Sequence, residues 1–258
     1  VSSISDWVHT TDIDKSLPIL PLSATVMCNI DILCDVLSGL PVPDRDLKSN
    51  FRMLVIRSFN VNHPRTKIKD LKGGVVGGSL MKGIVRENDE IFVYPGYIFE
   101  KNDDSGITWK YTPLRTKVLS IHSDKTSLKY AIPGGLIAIQ LDIDSALTYD
   151  DKLVGQMVTP IKETEIKIYE GIKIKFTKFS KTSGNIDLML KQKLSANVNS
   201  NNIPCTLYSQ EEDILMLELR KPVAVFIGDK LTLSTDEKPI ILIGYGIIVG
   251  GIESEKHS

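Results

Sequence analysis

The chain has 258 residues, enough for one large core or two smaller ones, with 31 Lys and Arg against 32 Asp and Glu. That balance excludes the global positive field of a dedicated nucleic-acid binder, so any surface of that kind has to be local. No apolar run reaches about 18 residues, so no membrane-spanning helix is expected, and the start VSSISDWVHTTDIDK lacks the basic-then-apolar form of a secretory signal.

Along the chain, Leu17–Leu22, LPILPL, is a short apolar run, expected as a strand, that ends at Ser23-Ala24. In NIDILCDVLSGL, Ile30, Leu33, Cys34 and Leu37 fall at i, i+3, i+4 and i+7, which predicts an amphipathic helix capped by Asn29 and stopped at Gly39. PVPDRD then reads as a stiff linker. Strand, polar turn and helix in that order make an α/β ending.

Beyond it the pattern changes to strands: MLVIRSFNV, EIFVY, TKVLSIHS, LIAIQLDI, EIKIYEGIKIKFTKF, DILMLELR, VAVFI, KLTLS and PIILIGYGIIVGG. Turns at Pro95-Gly96, Asp103–Gly106 and Pro133–Gly135 punctuate them, which predicts barrels or sandwiches. The break at Asp144–Pro160 reads as the join between two β units. The expected domains are therefore 1–45, an α/β ending, then 46–160 and 161–258, two β-barrels in a mainly β chain.

The stretch LKGGVVGGSLMKGIV tests a phosphate-binding reading. Gly73 and Gly78 have the spacing of G-x-x-x-x-G-K-S/T, but Ser79 and Leu80 follow where Lys and Ser or Thr belong. No helix follows either, so these glycines mark bulges or close backbone approach within a sheet. Asp142–Leu153 opens like a calcium loop but has Leu147 and Leu153 where Gly and a bidentate Glu are needed. His9, His63, His122 and His257 are scattered, so no zinc site is expected. Asp104-Ser105-Gly106 sits in a polar hairpin tip rather than in the frame of a nucleophilic serine, which leaves a two-barrel hydrolase as a distant alternative. Cys28, Cys34 and Cys205 are an odd set with no C-x-x-C, and no N-x-S/T sequon occurs; a reducing cytoplasm is the expected setting. Two basic clusters remain: the lysines of IKIYEGIKIKFTKFSK on one face of a strand, and Arg115, Lys117, His122 and Lys125 on or near another. A solvated face is the ordinary reading of such lysines, and contact with an RNA backbone the functional one.

The stretches PILPLSATVMCNIDILCDVL, LPVPDRDL, LVIRSFNVNHP, DLKGGVVGGSLMKGIV, AIPGGLIAIQLDID, KLVGQMV and LIGYGII together resemble the gamma subunit of eukaryotic and archaeal translation initiation factor 2. The resemblance is dense to about Thr159 and thins afterwards to ELRKPVAV, GDKLTLS and IGYG. It implies the end of a GTPase domain followed by two barrels of the elongation factor Tu kind. It also implies a heterotrimer that, with GTP or GDP and magnesium, carries methionyl initiator tRNA to the small ribosomal subunit. On this resemblance Ser23 and Ala24 are the nucleotide contacts present, because a backbone N–H at guanine O6 selects guanine over adenine. The phosphate loop, switches and N-K-x-D motif are absent from this sequence, so no GTP hydrolysis, catalytic residue or bound cofactor is expected of it alone. The resemblance places the aminoacyl end of the tRNA near Gly77, Gly78, Arg115, Lys117 and His122. It places the alpha subunit on a loop from Gly96 to Tyr111, with Tyr97, Asp103 and Asp104 among the contacts; the beta subunit would dock mainly on the missing GTPase part. Asn60, Arg65 and Tyr245 stand where the family usually has Asp, Gly and Trp. A selenocysteine-specific elongation factor or another translational GTPase is the alternative within translation.

Overall fold

The structure is a computed structural model that describes residues 2–9, 18–103, 106–179 and 187–256. Residues 1–44 form one unit. Within it lie α1, Ser2–His9, and α2, Ile30–Ser38, whose apolar positions follow the helical spacing yet include no buried residue. One expectation holds only in part and another fails. Asn29 is the N-cap residue, but in a left-handed conformation (φ 58) with no side-chain cap, and its Nδ2 donates instead to the Pro21 carbonyl at 2.8 Å. Residues 18–22 form no strand, because Pro18 and Pro21 have no N–H to offer a ladder. An isolated bridge between Ser23 and Cys28 is all that remains.

Residues 45–258 form the second unit. Its first strands are β1 Arg52–Phe59, β2 Val75–Lys82, β3 Val85–Arg86, β4 Glu90–Asp103, β5 Gly106–Ser123, β6 Thr126–Leu128, β7 Tyr130–Ala131, β8 Leu136–Leu141 and β9 Met157–Pro160. Neighbours run β5-β4-β9-β1-β2-β8, and β8 returns to β5 to close a six-stranded barrel, with β6 beside β5 and β3 paired to β7. Alternation sends Met53, Val55, Ile91, Val93, Val118, Ile121, Ile139 and Leu141 inward, all fully buried. Each such side chain contributes about 1.5–3 kcal/mol of transfer free energy.

A second closed barrel follows from β10 Lys167–Lys178, β11 Lys193–Val198, β12 Asn201–Glu211, β13 Ile214–Val225, β14 Lys230–Thr235 and β15 Leu242–Glu253, in the order β10-β13-β12-β11-β14-β15. The DILMLELR and VAVFI runs are one bent strand, β13, rather than two. The NVNSNN stretch becomes a tight hairpin, with Asn199 (φ 52) and Ser200 (φ 62) as the two turn residues between paired Val198 and Asn201.

The chain then crosses back. β16, Glu255–Lys256, pairs in parallel with Lys110 and Tyr111 of β5, so the last described residues belong to the first barrel's sheet. Between the barrels Met157, Ile168, Ala224 and Phe226 form a buried cluster, with Leu54, Tyr94, Tyr111 and Ile166 packed against it. Arg52 adds a buried ion pair to Asp229, and its guanidinium lies 4.0 Å over the Phe226 ring.

Candidate nucleic-acid and subunit interfaces

Register, rather than sequence proximity, assembles the first surface. His122 on β5 faces Ala138 on β8, Ala138 faces Gly77 on β2, and Gly77 faces Arg57 on β1. This row crosses four strands on the outer face, with two small residues between a histidine and an arginine. Phe59 borders it: a Cβ on Gly77 would lie 3.9 Å from the Phe59 ring, which is 42 % exposed. Small residues thus floor a strip edged by an aromatic ring, an imidazole and a guanidinium.

The two glycines do different work. A Cβ on Gly78 would overlap the Leu54 carbonyl oxygen, whereas one on Gly77 would meet nothing nearer than 3.8 Å. Opposite them β1 carries a bulge, with Ile56 between Val55, which faces Gly78, and Arg57, which faces Gly77. The glycine run therefore lets backbone approach backbone at Gly78 and leaves open floor at Gly77. Asp151 fixes the arginine end: its carboxylate accepts the Ser58 N–H at 2.8 Å and lies 3.3 Å from the Arg57 guanidinium. Asp144, in the same stretch, likewise accepts a backbone N–H, that of Ala146 at 2.9 Å.

Arg115 and Lys117 do not join this row. They sit on the outer face of β5 opposite Phe92 and Glu90 of β4. Seven residues of strand separate Arg115 from His122, roughly 20 Å at the usual rise. Arg115 pairs with Glu90 at 2.8 Å, and this hydrogen bond, then the guanidinium charge, holds the Glu90 carboxyl below its ordinary range. Arg57 is the residue that sequence reasoning missed; its signal was a lone basic residue in an otherwise apolar strand run. On β10, Lys167 pairs with Glu253 at 2.9 Å and Lys175 with Asp213 at 3.5 Å, which supports the ordinary reading of that lysine face.

The segment from Gly96 to Tyr111 is not a loop. Its two arms are paired from Tyr97–Thr112 to Asp103–Gly106, so it is a long β4–β5 hairpin. Asp104 lies outside the described residues. Gly96 is buried at a bulge with φ 85, where Gln156 clamps it: Oε1 accepts the Gly96 N–H at 3.0 Å and Nε2 donates to the Gly96 carbonyl at 2.9 Å. Gly96 therefore shapes the hairpin from within. Tyr97 is 57 % exposed and stacks on Phe99 with centroids 5.9 Å apart. Both rings line a cleft of about 570 Å³ that also reaches Trp109, Leu147, Lys152 and Lys221. Tyr111 instead packs on the inter-barrel cluster, where burial and then the Glu253 charge push its phenol up.

The Ser23-Ala24 turn is closed by the bridge: Ser23 N–H donates to the Cys28 carbonyl at 3.2 Å and Cys28 N–H to the Ser23 carbonyl at 3.0 Å. Ala24 stands exposed in that turn. Among the described residues no group of three or more His, Cys, Asp or Glu gathers as a metal site.

Two consecutive closed six-stranded barrels lie within residues 52–253, and solved structures share that fold. Elongation factor SelB from Methanococcus maripaludis in its apo form matches with a TM-score of 0.74 at 21 % identity, over 96 % of this chain and 55 % of that one. A bacterial selenocysteine-specific elongation factor matches with a TM-score of 0.70 at 18 % identity, over 95 % and 36 %. No protein-family model matches. Sequence decides between families. The chain is 34 % identical over 261 aligned positions to eukaryotic translation initiation factor 2 subunit 3 of Drosophila melanogaster, covering 96 % of this chain and 54 % of that protein. It is equally 34 % identical to the gamma subunit of Schizosaccharomyces pombe, covering 57 % of it. The chain spans about half the length of these relatives, and over that span it belongs to the family of the gamma subunit of translation initiation factor 2.

Proposed function

We propose that this chain is the tRNA- and subunit-binding part of such a gamma subunit. In its intact GTP-bound form, joined to alpha and beta subunits, that protein carries methionyl initiator tRNA to the small ribosomal subunit in the cytoplasm. The observation that supports this best is the row His122–Ala138–Gly77–Arg57 with Phe59 at its edge. The terminal adenine lies on the Gly77–Ala138 floor, with the Arg57 guanidinium and a ring N–H of His122 as donors to the adjoining phosphates. Gly78 keeps that floor low by letting β2 close on β1. Arg115 and Lys117 meet phosphates further along the acceptor strand. The alpha subunit seats on the outer face of the β4–β5 hairpin, with the Tyr97–Phe99 stack as its apolar anchor and Asp103 and Asp104 among its contacts. Ser23 and Ala24 contact the guanine base, and the phosphates and magnesium belong to parts of the protein outside this sequence. The elongation-factor alternative retains only the shared fold.

The test is fluorescence anisotropy of a labelled CCA trinucleotide that carries a 3′-methionyl ester. Gly77→Val and His122→Ala should each weaken binding about tenfold, the loss of one base-stacking or charge-assisted contact. Undiminished binding by Gly77→Val would remove the adenine from this floor.

A further inference from the structure

A second surface lies on the opposite chemistry. A cleft of about 350 Å³ opens where the β4–β5 hairpin leans on the second barrel, lined by Trp109, Glu170, Gly171, Tyr208, Met216, Glu218, Leu219 and Ile252. Three departures from regular pairing create it. β10 pairs through Tyr169 and then Gly171 with both of its neighbours, which leaves Glu170 as a bulge residue on both sides. β12 pairs through Leu207 and then Ser209, which leaves Tyr208 as a bulge residue as well. Between them β13 jumps from Glu218 to Val223 in its pairing with β10. Bulges re-aim side chains, and here two of them on separate strands turn a carboxylate and a phenol ring to one cleft. Tyr208 is 70 % exposed. Gly171 keeps the floor open, since a Cβ there would come within 3.0 Å of the Met216 methyl.

The charged residues lining this cleft are both acidic, while Lys193 and Arg220 line an adjoining cleft that shares Trp109 and Glu218. Among the described residues no Lys, Arg or His forms an ion pair with Glu170 or Glu218. Burial, then the charges of Glu255 and Glu218, push the Glu170 carboxyl up. A phosphate backbone would be repelled here. A guanidinium or ammonium held between Trp109 and Tyr208 would gain both cation–π attraction and two carboxylate acceptors.

We infer that this cleft is a docking site for a basic segment of a partner protein, with one arginine or lysine side chain inserted between Trp109 and Tyr208. The insertion bridges the barrels, because Trp109 comes from the first and Glu170, Tyr208 and Glu218 from the second. An acetylated tri-arginine amide is the probe, titrated into the ¹⁵N-labelled chain at low salt. The sequence has two tryptophans, so Trp7→Phe assigns the Trp109 indole signal. A saturable shift of that signal is expected, weakened roughly tenfold by Glu170→Gln and by Glu218→Gln, with the loss of one charge-assisted contact each. These isosteric exchanges at partly exposed positions leave the fold intact, which the unchanged remainder of the spectrum verifies. A linear, unsaturable shift, binding by both Gln variants as tight as the parent's, or an equal response to oligouridylate would each overturn the assignment.

Discussion

Asp229 holds the two barrels together in an asymmetric way. Its carboxylate pairs with Arg52 across the interface and also accepts the Phe226 N–H at 2.9 Å. The side chains are 12 % and 16 % exposed, for Arg52 and Asp229 respectively, and the Arg52 Nε is already without a hydrogen-bond partner. Asp229→Ala therefore strands a buried guanidinium over the Phe226 ring and orphans a backbone N–H. Breaking a buried pair in this manner costs about 3–5 kcal/mol. Arg52→Met leaves a carboxylate that keeps its bond from Phe226 and has some access to water, and Met fills much of the arginine stem's volume, so about half that loss is expected. At roughly 2–4 °C per kcal/mol for a chain of this size, Asp229→Ala should melt about 6–20 °C lower. Calorimetry is the assay, since a weakened interface should also split one transition into two as the barrels unfold separately. A loss under about 1 kcal/mol for Asp229→Ala, or a larger loss for Arg52→Met, would refute the reasoning.

Gly78→Ala forces a methyl into the Leu54 carbonyl and should cost about 1–3 kcal/mol in urea unfolding, while Gly77→Ala should stay within about 0.5 kcal/mol. Cys205 is buried, and desolvation raises its thiol from 9.0 to about 12. Native protein should therefore show two thiols reactive to an aromatic disulfide at pH 8, the exposed Cys28 and Cys34. Because the unfolded thiol ionises first, the Cys205 contribution is intact below pH 9.0 and is lost as pH rises towards about 12. Cys205→Ala should flatten that part of the alkaline stability curve relative to the parent; identical curves would contradict the burial argument. Arg65 occupies φ 75, a conformation that favours glycine. Arg65→Gly should raise stability by about 0.5–1 kcal/mol despite the added unfolded-state entropy, and a loss of stability would show that the arginine side chain outweighs the strain.

Most strands were readable because alternation of apolar and polar residues survives on each barrel wall. β11 and β12 were not: KLSANV and NNIPCTLYSQE are polar on their outer faces, and Pro204 sits within one of them, tolerated without breaking the strand. The LPILPL run misled through composition, its prolines outweighing its apolar character. β16 is two residues long and carries no pattern of its own; tertiary pairing with β5 defines it. The candidate site's residues lie far apart in the sequence. Gly77 and His122 were named from separate stretches, but only register shows that Ala138 lies between them and that Arg57 completes the row, while Arg115 and Lys117 stand well apart along β5. Asn60, singled out because the resemblance implies Asp there, accepts with its Oδ1 from the Asn62 backbone and side chain, both at 2.8 Å.

The most direct test of the proposed role is a calorimetric titration of the chain with the C-terminal domain of the alpha subunit from the same source. The account predicts saturable 1:1 binding that needs no nucleotide and falls about tenfold or more on Tyr97→Ala, the removal of one exposed aromatic anchor. A flat titration of folded protein, or binding indifferent to Tyr97, would contradict the assignment of the β4–β5 hairpin as the subunit interface.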